Sequence, residues 1–162
     1  MTSRRAEPVN DLYDGLDFPR TQTALAALRF AKRVEHPAVF NHNMRTYLSG
    51  RFAGEQDGVL PGRDDEALFL GCVLHDVGLS AEGDGDQTFI VGGADLAARF
   101  LTELGLGDDT VETAWDAGAL HLRFEIARRK RPEVALVTTG AGYELGIHPR
   151  HPLPDGYPGA PR

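Results

Sequence analysis

The residues of this chain best suited to chemistry are histidines that fall within apolar helical patterns: His42, His75 and His121. His75 is followed directly by Asp76, at the end of a strongly apolar stretch. Burying an imidazole beside a carboxylate is costly unless something satisfies both groups. A divalent cation can do this, because nitrogen and oxygen donors suit zinc, iron or manganese. A His-Asp pair taken alone equally fits a helix-end histidine beside a solvated aspartate.

The remaining candidates have plainer interpretations. His42 lies between Phe40 and Met44, where a lone histidine is typical of a hydrogen-bonded core residue. We expect the other three histidines to be solvated: His36, His148 and His151. The single cysteine, Cys72, excludes an intrachain disulfide and a cysteine-rich zinc site, and its apolar surroundings indicate a buried, inert thiol.

Helical periodicity dominates the chain, and the alternation typical of strands is nearly absent, so we predict an all-α fold. Pro37 and Pro132 suit first helical positions, and Asp64 or Asp65 suits a helix cap. The stretch 80–93 is expected to be an irregular loop. Predicted helices cover residues 21–34, 37 to Gly50 or Gly54, 65–78, 94–105, 110–122 and 132–146.

Five segments in series resemble the HD-domain superfamily of metal-dependent hydrolases, and most closely its cyanamide-hydratase-like branch. The resemblance covers roughly residues 20–146 and implies a compact HD-domain helical bundle. Several matching segments in the same order are more specific than any one of them. The segments are NHNMRTY at 41–47, LHDVGLS at 74–80, GADLAARFL at 93–101, ALH at 119–121 and PEVALVTTGAGYELG at 132–146.

The resemblance implies roles for individual residues. His42, His75 and Asp76 match the metal ligands of the family, and Glu144 stands where the family has a late aspartate. Glu144 is therefore either a metal ligand, with water as the alternative at that position, or a helix-end surface residue. Asp76 or His121 would move the proton, although His121 fits a buried structural histidine equally well. Arg45, with Thr46 beside it, would orient ligands or contact substrate.

Two positions differ from the family pattern, and one basic stretch lies outside the five matching segments. Ile90 and Gly92 occupy positions where the family usually has acids, which puts activity in question. The stretch 123–131, RFEIARRKR, holds five basic residues and either recruits an anionic substrate or forms a solvated loop. We favour the solvated loop.

Composition limits the partners. The chain has 162 residues and a net charge of −7, which disfavours binding to a nucleic-acid backbone. No window approaches the ~20 apolar residues that a membrane span needs, and the N-terminus lacks a signal-peptide pattern, so a cytoplasmic protein is expected. We predict an N-terminal extension at 1–19, an HD domain at 20–146 and a disordered proline-rich tail at 147–162. A homo-oligomer is one way to cover the core where the tail replaces the family's last helix.

The predicted function is metal-dependent hydrolysis or hydration of a small molecule. The branch implies a nitrile substrate, with cyanamide hydrated to urea. Zinc or a similar metal would lower the pKa of bound water towards ~7. The alternatives are a phosphohydrolase acting on a nucleotide or other phosphate ester, and a non-catalytic metal-binding protein.

Overall fold

The computed structural model describes residues 13, 15–59, 64–147 and 150–158. Within these residues the chain forms seven α-helices and no strand, which confirms the all-α prediction. Two short 3-10 turns, Val77–Leu79 and Ala81–Gly83, connect the third helix to the fourth. The helices are α1 Gln22–Val34, α2 Pro37–Gln56, α3 Asp65–Leu74, α4 Phe89–Glu103, α5 Asp108–Leu120, α6 Phe124–Ala127 and α7 Pro132–Glu144.

Local chemistry sets where several helices begin. The Thr21 hydroxyl accepts a hydrogen bond from the Ala24 amide at 3.1 Å, and the Asp64 carboxylate accepts one from Ala67 at 3.0 Å. Such caps satisfy amides that have no partner inside the helix. Helices α2 and α7 each start with a proline, which lacks the amide hydrogen that would otherwise be unpaired there. These starts were predicted from the sequence.

Other boundaries differ from the predictions. Helix α2 continues through both glycines to Gln56, and α3 ends at Leu74, short of the predicted stop at Gly78. Helix α4 begins at Phe89, so the predicted loop ends five residues too late. The Thr88 hydroxyl caps this helix at the Val91 amide, which explains the earlier start. The segment predicted as a solvated loop contains α6.

Helix α3 is the centre of the core. Its apolar side chains are buried all round, with Leu68, Phe69 and Leu70 showing no exposed surface. It packs against α1, α2, α5 and α7. Cys72 is a free, fully buried thiol, and this burial raises its pKa well above the ordinary value, which agrees with an inert role. Because α3 is enclosed by other helices, the residues that follow it, His75 and Asp76, lie in the interior of the bundle.

Helices α2 and α7 approach each other closely through glycine. A Cβ atom added to Gly50 would lie 2.6 Å from the Leu136 carbonyl oxygen, and one added to Gly140 would overlap the Thr46 carbonyl oxygen. Larger residues would therefore push the helices apart. This contact fixes the position of α7 relative to α2, the helix that carries His42.

Residues outside the predicted domain also pack on it. Phe18 is buried and stacks on Phe69, with ring centroids 5.3 Å apart. Residues 150–158 form no helix or strand, but the Tyr157 hydroxyl donates to the Leu48 carbonyl oxygen at 2.8 Å, and the Tyr143 hydroxyl donates to that of His151. Disorder of the tail is therefore not confirmed for its described part, and the domain limits stay a prediction. No helix in the described ranges has the length and apolarity to cross a membrane.

Candidate metal centre

Four helices place the candidate site residues at one position in the bundle. His42 lies on α2, while His75 follows the last residue of α3 and Asp76 comes next. His121 takes the same place at the end of α5, and Glu144 is the last residue of α7. His121 and the nearby Gly118 are buried, so this histidine is an interior residue.

The three histidines surround the Asp76 carboxylate. His75 Nε2 lies 3.2 Å and His42 Nε2 lies 3.5 Å from Asp76 Oδ2. His121 Nε2 lies 3.4 Å from the other oxygen, Oδ1. One ligand atom from each of His42, His75 and Asp76 falls within 4.8 Å of the other two. A set of two nitrogens and one carboxylate oxygen matches the donors that zinc, iron and manganese accept.

Backbone contacts determine which ring nitrogen faces the centre. His75 Nδ1 lies 2.7 Å from the Cys72 carbonyl oxygen, and His121 Nδ1 lies 2.7 Å from that of Gly118. Because a carbonyl only accepts, each Nδ1 carries the proton and each Nε2 presents a lone pair. His75 Nε2 is fully buried and has no hydrogen-bond partner among the described residues. An orphaned buried lone pair beside a carboxylate is satisfied by a cation, so the residues fit a metal.

The electrostatics of the cluster favour positive charge next to Asp76. Burial alone would raise the pKa of the Asp76 carboxyl, but the neighbouring His75, with His121 and His42, holds it well below its usual range. Burial lowers the pKa of His42, and it lowers that of His121 to about 4, so both rings are neutral near pH 7. Burial also opposes the charged form of His75, yet Asp76 outweighs it and raises the pKa of His75. Positive charge beside Asp76 is therefore stabilised, at the place where a cation would bind.

Glu144 is held by Arg45. Arg45 Nε donates to Glu144 Oε1 at 2.6 Å, and Nη2 donates to Oε2 at 2.9 Å, which makes a bidentate ion pair. Burial acts to raise the pKa of Glu144, but the hydrogen bonds and charge of Arg45, together with His42, outweigh it. The pKa is lowered overall, so the group stays ionised. Glu144 Oε2 lies 3.6 Å from His42 Nδ1. The carboxylate therefore lies behind the His42 ring and outside the converging group of three, and its role as a direct ligand stays a prediction.

Two buried polar residues beside the cluster, Glu35 and Asn43, were not predicted as site residues from the sequence. The Asn43 amide donates to Glu35 Oε1 at 2.8 Å and to the Val73 carbonyl oxygen at 3.2 Å. Glu35 Oε2 and Asn43 Oδ1 have no hydrogen-bond partner within the described part of the chain. Burial raises the pKa of Glu35 to about 8, although His75 acts in the opposite direction. Asn43 was detectable as a polar residue next to His42, whereas Glu35, between two helices, carried no sequence signal.

Gly92 and Ile90 stand where the sequence resemblance led us to expect acids. A Cβ atom added to Gly92 would lie 2.8 Å from the Gly83 carbonyl oxygen, so this backbone has no room for a side chain there. Ile90 is half-buried in the first turn of α4.

Thr46, the neighbour of Arg45, is buried, and its hydroxyl has no hydrogen-bond partner among the described residues.

Comparison with known proteins does not identify a family. A scan against protein-family models finds no match for the chain, and a search of curated proteins finds none. The geometry of the cluster therefore carries the functional argument, and the HD-domain resemblance stays an expectation from the sequence motifs.

Proposed function

We propose that this chain is a metal-dependent hydrolase or hydratase that acts on a small molecule, with His42, His75 and Asp76 as the metal ligands. The observation that carries the proposal is the convergence of these three side chains to within 4.8 Å of one another. The buried lone pair of His75 Nε2 supports it, since that atom makes no hydrogen bond to the described residues and lies 3.2 Å from Asp76 Oδ2.

The surrounding residues suit catalysis at such a centre. When bound, the metal would lower the pKa of a water molecule towards ~7 and so make hydroxide accessible at neutral pH. His121 Nε2, 3.4 Å from Asp76 Oδ1, is an unprotonated acceptor beside the ligand set. It is positioned to take a proton from water and to return it to the product. The Gly118 carbonyl oxygen holds this ring in place through Nδ1, and Asp76 supplies the negative charge of the site.

Arg45 and Glu144 would act on His42. A carboxylate at Nδ1 favours the tautomer with its lone pair on Nε2, the nitrogen that faces Asp76. Arg45 fixes that carboxylate through two hydrogen bonds. Because Arg45 is engaged in this way, it offers little to an anionic substrate. This favours a small neutral substrate over a phosphate ester.

Access is from the side of α2. The His42 side chain is 20% exposed and that of Arg45 is 28% exposed, whereas the His75 side chain is fully buried. A small molecule would therefore approach past the outer edge of His42. The sequence resemblance suggests a nitrile, with cyanamide converted to urea by addition of water across the carbon–nitrogen triple bond.

The test compares reaction products. Protein purified without chelator and supplied with zinc, iron or manganese is incubated with cyanamide and small nitriles, assayed for urea or ammonia, and with phosphate esters, assayed for phosphate. We expect urea or ammonia, and a loss of about 10²–10⁴-fold in kcat for His121→Ala at unchanged metal content. The matched control is His36→Asn, because His36 is exposed and caps α2 through a side chain that asparagine can replace. Phosphate release would identify the alternative hydrolase, and bound metal without any turnover would contradict an enzyme.

A further inference from the structure

A second candidate site lies on a different face of the bundle. A pocket of about 570 Å³ opens between α6, α7, the end of α2 and the segment that follows α7. None of its lining residues belongs to the metal cluster. Pockets of roughly 300–1,000 Å³ are the usual size for small organic ligands. Part of the wall is apolar, through Phe124, Leu136 and Ile147.

The charge of the pocket opposes that of the chain. Arg128, Lys130 and Arg150 line it together with one acid, Asp57, so the lining carries an excess of two positive charges. The whole chain has a net charge of −7. The cations come from two separate segments, one before α7 and one after it, so their convergence is produced by the fold. The local field in this pocket therefore attracts an anion that the rest of the surface repels.

The pairing of these cations shows which of them is available. Lys130 Nζ lies 2.7 Å from Asp116 Oδ2, and Arg150 Nη1 lies 3.4 Å from Asp57 Oδ1. Asp57 is also engaged by His151, at 2.7 Å. Arg128 is exposed, and its guanidinium forms no ion pair or hydrogen bond with the described residues. A guanidinium presents two parallel donors, the geometry that phosphate oxygens accept.

We propose that this pocket binds a small phosphate monoester, with the phosphate at Arg128 and Arg150 and an apolar substituent against Phe124 and Ile147. The basic segment that the sequence analysis favoured as a solvated loop thus has a binding role, at a site separate from the metal cluster. Half-buried Ala135, on the wall formed by α7, gives a means of filling the pocket.

The experiment titrates the full chain with 1-naphthyl phosphate and follows backbone amide resonances by NMR. 1-Naphthol and inorganic phosphate, each tested alone, separate the apolar and anionic contributions. We expect saturable shifts at Thr139 and Ile147, with both partial probes binding more than about ten-fold more weakly. Arg128→Gln should weaken binding of the ester about ten-fold. The control Arg99→Gln removes an exposed cation from α4, away from the pocket, and should leave the affinity within about two-fold.

Ala135→Phe should abolish the shifts while the melting temperature shows that the fold is kept. The proposal is overturned if 1-naphthyl phosphate causes no saturable shifts, or if the shifts occur at His75 and His121 instead. Equal affinity in Arg128→Gln and wild type would also overturn it. Because none of these readouts depends on metal or turnover, failure here leaves the proposed enzyme function unaffected.

Discussion

Replacing Glu35 by glutamine should stabilise the protein at neutral and alkaline pH. The Glu35 side chain is buried, and its Oε2 atom and Asn43 Oδ1 are acceptors with no donor among the described residues. A glutamine amide supplies a donor in place of Oε2 while its carbonyl can still accept from Asn43. The same substitution removes a carboxyl group that must otherwise be kept neutral in the fold.

The magnitude follows from the pKa of Glu35. Burial raises it from an ordinary 4.5 to about 8 in the folded state. Below pH 4.5 the carboxyl is neutral in both the folded and the unfolded chain, so wild type and Glu35→Gln should differ little. Above it the unfolded chain ionises while the folded chain does not, so wild type loses stability until the pH passes about 8. At about 1.4 kcal/mol per pH unit, the difference reaches at most about 5 kcal/mol.

The assay is denaturant unfolding of chelator-treated protein at several pH values between about 5 and 8.5. We expect the stability difference between Glu35→Gln and wild type to grow steadily with pH across this range. Glu103→Gln is the control, because Glu103 is exposed on α4, and its difference from wild type should not change with pH. A difference that stays constant with pH, or a variant less stable than wild type at pH 8, would refute the assignment of a neutral buried Glu35.

Two further substitutions test the helix contact and the ion pair near the cluster. Gly140→Ala should cost about 1–3 kcal/mol in unfolding free energy because its Cβ would overlap the Thr46 carbonyl oxygen, whereas Gly85→Ala, which meets nothing within 4 Å, should cost far less. Equal costs would show that α2 and α7 do not pack as described. Arg45→Gln should weaken metal binding about 10–100-fold while circular dichroism stays unchanged, since the carboxylate of Glu144 loses the partner that holds it behind His42. Unchanged affinity would separate Arg45 from the metal centre.

Much of the fold was predictable because it depends on local chemistry. Helix starts at Thr21 and Asp64 follow from side chains that cap amides three residues ahead. The start of α4 was missed because Gly92 and Gly93 resemble helix breakers in sequence. In the structure a Cβ on Gly93 would lie 2.7 Å from the Gly78 backbone nitrogen, so this glycine serves a close contact within a helix. Such contacts join distant parts of the chain, and periodicity does not encode them.

The candidate site, like the fold, has some residues that the sequence predicts and others that depend on contacts between distant parts of the chain. His75 and Asp76 were candidates because a polar pair at the end of a buried helix needs a partner, whereas His42 was added through the family resemblance. The structure brings the three together. The direct role expected of Glu144 is untested, and its pairing with Arg45 depends on the register between α7 and α2. Glu35 became visible only when the burial of its carboxylate was known.

The most direct test of the central claim is the metal content of protein purified without chelator, measured by mass spectrometry for wild type, His75→Ala and His36→Asn. Wild type and His36→Asn should each carry about one zinc, iron or manganese ion per chain. His75→Ala should carry less than about a tenth of that amount while remaining folded, because it removes a buried Nε2 that makes no hydrogen bond to the described residues. A wild-type protein that binds none of these metals, or a His75→Ala variant with full metal content, would contradict the account.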